Sequence, residues 1–322
     1  MTGDITILGA GVAGLAVAHE LLRRGVRPEI IDPAGAPGPH CCSWWAGGML
    51  APHCEGETAE EPVIRLGGLA AGWWRDAGVE VTQSGTLVVA LDRDRSETER
   101  FSRRTIGHDR IAEAEIAGLE PDLAGRFDTA LHFASEAHIN PRQALDRLWA
   151  GLKKADVSID CEGQPKGIVI DCRGLAARDC LPNLRGVRGE MVLLRASEIS
   201  LRRPVRLLHP RHPLYIVPRG DGVFMLGATQ IESDGRGPVT LRSAVELLNS
   251  AYALHPAFAE AEILEIAADA RPAFPDNLPR IVRKDDRIFV NGLFRHGFLL
   301  APALAGMVAD LVLDGKLPEL ML

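Results

Sequence analysis

Apolar and polar positions along the first thirty-two residues change period three times, and each change predicts an element. Asp4 to Leu8 is a short apolar strand. Gly9-Ala10-Gly11-Val12-Ala13-Gly14 interrupts it, Leu15 to Arg24 has the spacing of a helix, and Arg27 to Asp32 is a second strand. The pattern is a βαβ unit. Gly25 follows Arg23 and Arg24, where a helix C-terminus favours a left-handed residue and nearby cations. Pro33 to His40 is a Pro/Gly loop leading into the small and aromatic segment Cys41 to Pro52. Further strands are predicted at Gly85 to Leu91, Gly189 to Leu194, Leu214 to Val217, Val223 to Leu226 and Arg287 to Asn291, and helices at Glu60 to Arg75, Pro141 to Lys154, Thr240 to Tyr252 and Leu299 to Leu313. The strands between Val187 and Ala228, with a turn at Arg219-Gly220-Asp221-Gly222, read as an antiparallel layer. Both ends of the chain read as pieces of a nucleotide domain. The expected class is therefore α/β, with a discontinuous nucleotide domain over residues 1–66, 137–185 and 279–322, and a substrate domain over 67–136 and 186–278.

Gly9, Gly11 and Gly14 fit G-x-G-x-x-G in the context the motif requires, directly after a strand and opening a helix. Gly9 permits the tight turn, Gly11 lets a pyrophosphate reach the backbone amides, and Gly14 allows close helix–strand packing. Asp32 ends the second strand, where a carboxylate accepts the hydroxyls of an adenosine ribose. These residues predict dinucleotide binding without separating NAD from FAD.

With 322 residues, 46% hydrophobic and 25% charged, the chain is long enough for two packed domains and is neither disordered nor fibrous. A net charge of −7 without long single-sign runs argues against nucleic acid and anionic membranes as partners. Six cysteines without a Cys-x-x-Cys spacing do not make a disulfide scaffold, and a cytoplasmic location is expected. Met1 runs into a strand pattern with no signal-peptide layout, and the apolar run from Phe298 to Leu313 is broken by Pro302 and Asp310.

Five further segments carry a resemblance: Ala46-Gly47-Gly48-Met49-Leu50, Tyr215-Ile216-Val217-Pro218-Arg219, Gly227-Ala228-Thr229, Arg271-Pro272, and Phe294-Arg295-His296-Gly297-Phe298-Leu299-Leu300-Ala301-Pro302. Together with the glycine fingerprint, and in this order, they make the chain resemble the D-amino-acid-oxidase-like flavoenzymes, most closely the glycine oxidase type of thiamine (thiazole) biosynthesis. The resemblance covers nearly the whole chain. It implies a Rossmann-like FAD-binding domain of the GR2 type, beside a second α+β substrate domain built on an antiparallel sheet. It implies non-covalent FAD, since the last cysteine is Cys180 and no C-terminal thiol is available for attachment. By the same resemblance, Gly9, Gly11, Val12, Ala13, Gly14, Asp32, Pro33, Cys42, Ser43, Gly47, Gly48 and Met49 lie along the cofactor, as do Arg295, His296, Gly297, Phe298 and Leu299. A helix opening near Gly297 would aim unpaired amides at the negative charge of a reduced flavin.

The implied reaction is oxidation of a small primary amino acid, glycine or a small D-amino acid, by hydride transfer from Cα to flavin N5. The products are an imine and then a 2-oxo acid, ammonia and hydrogen peroxide. Arg271 is expected to fork onto the substrate carboxylate, Tyr215 to help hold it, Arg295 to touch substrate and cofactor, and Met49 to pack near the flavin. His209, His212 and His296 are not assigned as catalytic bases, because orientation and preorganised electrostatics carry this chemistry. The expected partners are a small amino acid and dioxygen, and the family is often oligomeric. Two departures stand out. Gln230 replaces the family's pocket-closing methionine, and Ala155 to Asp171 is shorter than the usual adenine-wrapping hairpin, so no adenine contact is assigned there. The alternatives are an oxidase or dehydrogenase of secondary amines such as sarcosine or proline, and a non-catalytic flavin-binding protein.

Overall fold

The computed structural model describes residues 4–321, so the outermost ends of the expected domain ranges, 1–3 and 322, lie outside the described residues. Its helices are α1 (Val12–Arg23), α2 (Pro52–Glu55), α3 (Glu61–Gly67), α4 (Ala70–Asp76), α5 (Arg95–Arg104), α6 (Glu113–Leu119), α7 (Pro141–Lys154), α8 (Leu241–Leu254) and α9 (Gly297–Asp314).

The alternation at the N-terminus builds the centre of a six-stranded sheet. Its order is Arg280–Lys284, Arg287–Asn291, Ile168–Asp171, Ile5–Leu8, Glu29–Ile31, Ile159–Asp160. All neighbours are parallel except the first pair, a hairpin. Helix α1 follows Ile5–Leu8 and ends where the sequence indicates. Gly25 has φ +81°, and the amides of Gly25 and Val26 close back on the carbonyls of Leu22 and Leu21, satisfying two of the helix's last acceptors. Leu15 and Leu21 of α1, Leu148 of α7 and Leu304 of α9 share one core with Ile5 and Ile7 of the sheet. Although α9 has the length and apolarity of a bilayer span, half of it is buried inside the protein.

The second sheet has nine strands. Ile231–Glu232, Arg185–Arg195, Val223–Gly227, Leu214–Pro218, Val205–Leu208, Thr86–Ala90, Thr129–Phe133 and Asp109–Ala112 follow in that order, with Glu262–Ala273 paired along Arg185–Arg195. Pairing is antiparallel except between Val205–Leu208 and Thr86–Ala90. The Arg219–Gly222 turn joins two of these strands, with Gly220, Asp221 and Gly222 at positive φ. Val192, Leu207, Ile216 and Leu226 of this sheet pack with Leu247 and Leu254 of α8 in a separate core.

One expectation at element level is corrected. The helix predicted over Glu60 to Arg75 is two helices, α3 and α4, broken at Gly67-Gly68, where helix propensity is lowest. Gly67 also meets α9 closely, since a Cβ there would lie 2.8 Å from the Leu299 side chain. The long strand Glu262–Ala273 and the polar helix α5 had no predicted counterpart; α5 buries only Thr98 and Phe101. Ala70 and Trp74 of α4 join the core of the six-stranded sheet, and Trp74 Nε1 donates to Phe298 O at 2.8 Å.

Candidate active site

Between the two sheets lies one cavity of about 1200 Å³. It is larger than the ~300–1,000 Å³ typical of small-molecule pockets, so a dinucleotide and a small substrate fit together. The fingerprint forms one end. Gly9 has φ +98°, and a Cβ there would meet Cys172 O at 2.8 Å, while a Cβ on Gly14 would meet Gly9 O at 1.9 Å. Both glycines are thus required by backbone contact. Gly11 differs, for its Cβ direction meets only Ser43 Oγ, at 3.4 Å, and it lines the open cavity with Gly9, Val12 and Ala13. Gly14 itself does not line the cavity; it stands behind Gly9 as a packing residue.

Asp32 ties the turn together, accepting from Ala10 N–H at 2.6 Å and Ala34 N–H at 2.9 Å, and lines the cavity beside Pro33. Ser43 Oγ accepts from Val12 N–H at 3.1 Å, joining the Cys42–Trp45 turn to the start of α1. Cys42 lines the same wall, its thiol pushed up to about 12 by burial. Cys172, Arg173, Gly174, Leu175 and Ala176, just past the strand Ile168–Asp171, complete this end, at the carboxyl edge of the sheet where such folds bind ligands. No sequence expectation covered that segment.

The middle of the cavity is the Gly47-Gly48-Met49 loop. Arg219 clamps it, donating to Gly47 O at 2.7 Å and Ile139 O at 3.1 Å; burial pulls this guanidinium down to about 10. Gly47 is needed for the Tyr215 ring, which a Cβ would approach to 2.8 Å. Gly227, paired with Tyr215 across the sheet, likewise leaves room for the phenol oxygen, 2.7 Å from where its Cβ would stand.

Beyond Tyr215, Arg271 lies across Gly189 of the neighbouring strand, where a Cβ would sit 1.9 Å from Nη2. Its guanidinium makes one long hydrogen bond, to Thr229 O at 3.4 Å, and among the described residues no carboxylate lies within ion-pair distance. Burial lowers its pKa. A buried guanidinium without a counter-ion, beside a tyrosine hydroxyl and facing a cavity, is suited to a ligand carboxylate. Gly189→Ala is expected to push the guanidinium aside while sparing the fold, because the obstacle is the far end of a flexible side chain. Steady-state kinetics should give a KM for the amino acid raised roughly 10- to 100-fold with the melting temperature nearly unchanged.

At the far end α9 begins. Gly297, Phe298 and Leu299 line the cavity, and a Cβ on Gly297 would lie 3.3 Å from Val12 Cγ1, so the N-termini of α1 and α9 face it together. Arg295 lines the cavity too, but its Nε lies 2.8 Å from Glu55 Oε2, without the alignment of a hydrogen bond, and its Nη2 donates to Thr58. Sequence reasoning missed Glu55. It is buried, pairs with Arg206 through its other oxygen, and lies 3.4 Å from His296 Nδ1. Burial alone would raise Glu55, but Arg295 and Arg206 outweigh it and hold the carboxyl at about 2. Burial holds His296 down to about 4, keeping it neutral at neutral pH.

These two groups, with His138, contribute to an acid sensitivity. Both are depressed in the folded state, from ordinary values of 4.5 and 6.5, so the unfolded chain binds protons first. His296 begins to cost stability as pH falls through 6.5 and is spent below 4; the Glu55 contribution is whole above 4.5 and drains toward pH 2. Urea titrations should show level stability from about pH 7 to 8 and a loss of roughly 3 kcal/mol from His296 by pH 4. A His296→Asn variant should lose its own share of that step and keep the share of His138, which burial likewise holds down to about 4.

The donor set suits FAD: a glycine turn open over Gly11, an acid at the second strand's end, and two helix N-termini facing one cavity. Comparison with known proteins agrees. Residues 4–311 match the family described as DAO, FAD dependent oxidoreductase. The Rhizobium etli protein named "Putative thiamine biosynthesis oxidoreductase ThiO" is 57% identical over 311 residues, covering 95% of each chain. A glycine oxidase of Pseudomonas aeruginosa is 28% identical over 99% of this chain and 96% of its own. The crystal structure of glycine oxidase from Geobacillus kaustophilus superposes with a TM-score of 0.80 at 22% identity, over 99% of this chain and 96% of that one. The glycine cradle, the cavity it opens into and the match along almost the full sequence place this chain in the DAO family of FAD-dependent oxidoreductases.

Proposed function

We propose that the protein is an FAD-dependent oxidase of a small primary amino acid, glycine first, whose imine product feeds thiazole synthesis for thiamine. The observation that carries this reading is Arg271, a buried guanidinium without a carboxylate partner, in the same cavity as the dinucleotide fingerprint. FAD, when bound, takes a hydride from the substrate Cα and passes both electrons to dioxygen, giving hydrogen peroxide. The protein's own part is positional. Arg271 receives the carboxylate through two parallel N–H groups and Tyr215 adds its hydroxyl, which fixes where Cα stands. Arg219 keeps the Gly47–Met49 loop against Tyr215. The amides at the start of α9 supply fixed positive potential, and neutral His296 adds no competing charge. Arg295 acts in this reading by pairing with Glu55.

Purified protein is expected to be yellow, to release its flavin on denaturation, and to lose the oxidised flavin band on anaerobic addition of glycine. Peroxide yield compared across glycine, sarcosine and D-proline sets the substrate class. Sarcosine or proline turning over faster than glycine would reverse the proposed preference, and a flavin that no amine reduces would sink it.

A further inference from the structure

Behind the cavity wall, α2 lies over one face of the nine-stranded sheet. On that face Arg206 stands opposite Tyr215 on one neighbouring strand and Val88 on the other, so Thr86, two residues from Val88, shares it. Helix α2 is tied down twice: Cys54 N–H donates to Glu136 Oε1 at 2.8 Å, and Glu55 accepts from Arg206. Glu136 sits beside Thr86, its backbone oxygen accepting from Gly85 N–H at 3.0 Å, and both side chains are buried.

Among the described residues, five buried side-chain atoms without a hydrogen-bond partner fall in this cluster: Glu55 Oε2, Thr86 Oγ1, Glu136 Oε2, Arg206 Nε and His296 Nδ1. Glu55, Arg206 and His296 line the cavity, whereas Thr86 and Glu136 lie behind it. Buried polar atoms are normally satisfied, by protein or by internal water that makes about three hydrogen bonds. Such atoms running from the cavity wall to one buried carboxyl describe a polar path. The reaction needs one, because the amine must lose a proton before hydride leaves Cα, and peroxide formation must regain one.

Resting on the amino acid oxidase reading, we propose that these atoms hold a file of ordered waters and that Glu136, at its inner end, is the proton-holding group of the site. An N–H bond of the substrate ammonium breaks, its electron pair stays on nitrogen, and the proton passes along the file to form an O–H bond on Glu136. Dioxygen then gains the hydride equivalent and the proton from Glu136, becomes hydrogen peroxide, and the carboxylate is restored. Within this cluster, neither Glu55, held near 2, nor His296, held near 4, can serve instead. Burial raises the Glu136 carboxyl, while Cys54 N–H and the Arg206 charge keep its ionised form accessible. That moves it toward the range where one group both takes and gives a proton.

Two readouts test this. In weak buffer with an indicator dye, anaerobic reduction by glycine should release well under one proton per wild-type enzyme and about one per Glu136→Gln enzyme. Infrared difference spectra should show a carboxyl band appearing on reduction that is absent from Glu136→Gln. In the wild type it should shift in D2O within the mixing time, and in Thr86→Val at least ten-fold more slowly. Equal proton release from wild type and Glu136→Gln, or a band surviving that substitution, overturns the proposal. If glycine fails to reduce the flavin, the functional reading falls instead, and the resting enzyme still decides this one. A Glu136 band that titrates with pH but exchanges slowly in D2O means an isolated buried acid and no file.

Discussion

Replacing Arg271 by alanine should lower kcat/KM for glycine by roughly 10²- to 10³-fold, because removing one member of a desolvated charge pair costs about 2–5 kcal/mol and each 1.4 kcal/mol is tenfold. The loss should be smaller for a substrate whose binding depends less on its carboxylate. Arg271→Lys keeps the charge and loses the fork, so it should recover only part of the activity. Stability is the control. Arg271 has no ion-pair partner among the described residues, so its removal leaves no carboxylate stranded, and the melting temperature should stay level or rise. An Arg271→Ala enzyme with wild-type kinetics toward every amino acid would remove the residue from the site.

Glu55→Ala should do the opposite, striking the fold first. The substitution strands Arg206 and Arg295 beside one another without their shared counter-ion. Breaking a buried pair in this way costs about 3–5 kcal/mol, a large share of a domain's net stability. Denaturant midpoints should fall accordingly, and the flavin should dissociate more readily, since Arg295 and His296 sit at the entrance to α9. Glu55→Gln keeps the shape and some hydrogen bonding, and should recover part of the loss. An unchanged midpoint for Glu55→Ala would mean that water already screens the cluster.

The two residues also mark what the sequence could and could not reveal. Arg271 drew attention only through the family resemblance carried by Arg271-Pro272. Glu55 drew none. Its local sequence, His53-Cys54-Glu55-Gly56-Glu57, reads as solvated loop, and it becomes a buried ion only when Arg206 and Arg295 arrive from other elements. The same division runs through the fold. The βαβ start, Pro141–Lys154 and the glycine-rich turn after Arg219 are local decisions, made by periodicity, a proline at the first helical turn and residues tolerant of positive φ. The strand Glu262–Ala273 is not local. Its glutamates and alanines favour helix, and an eleven-residue ladder with Arg185–Arg195 overrides them. Gly189 belongs to that ladder, so the space beneath Arg271 becomes apparent only after pairing.

The position of α9 has a consequence for how the protein comes into being. Its body packs along α1, and its first turn closes the far end of a cavity that the glycine fingerprint opens. As the chain leaves the ribosome, the fingerprint emerges before α9 and must wait for it before the opposite wall exists. Cofactor loading therefore follows the synthesis of α9. Nascent fragments that end before Gly297 should hold flavin poorly, and the arriving FAD should act as a keystone, raising the unfolding temperature with its concentration.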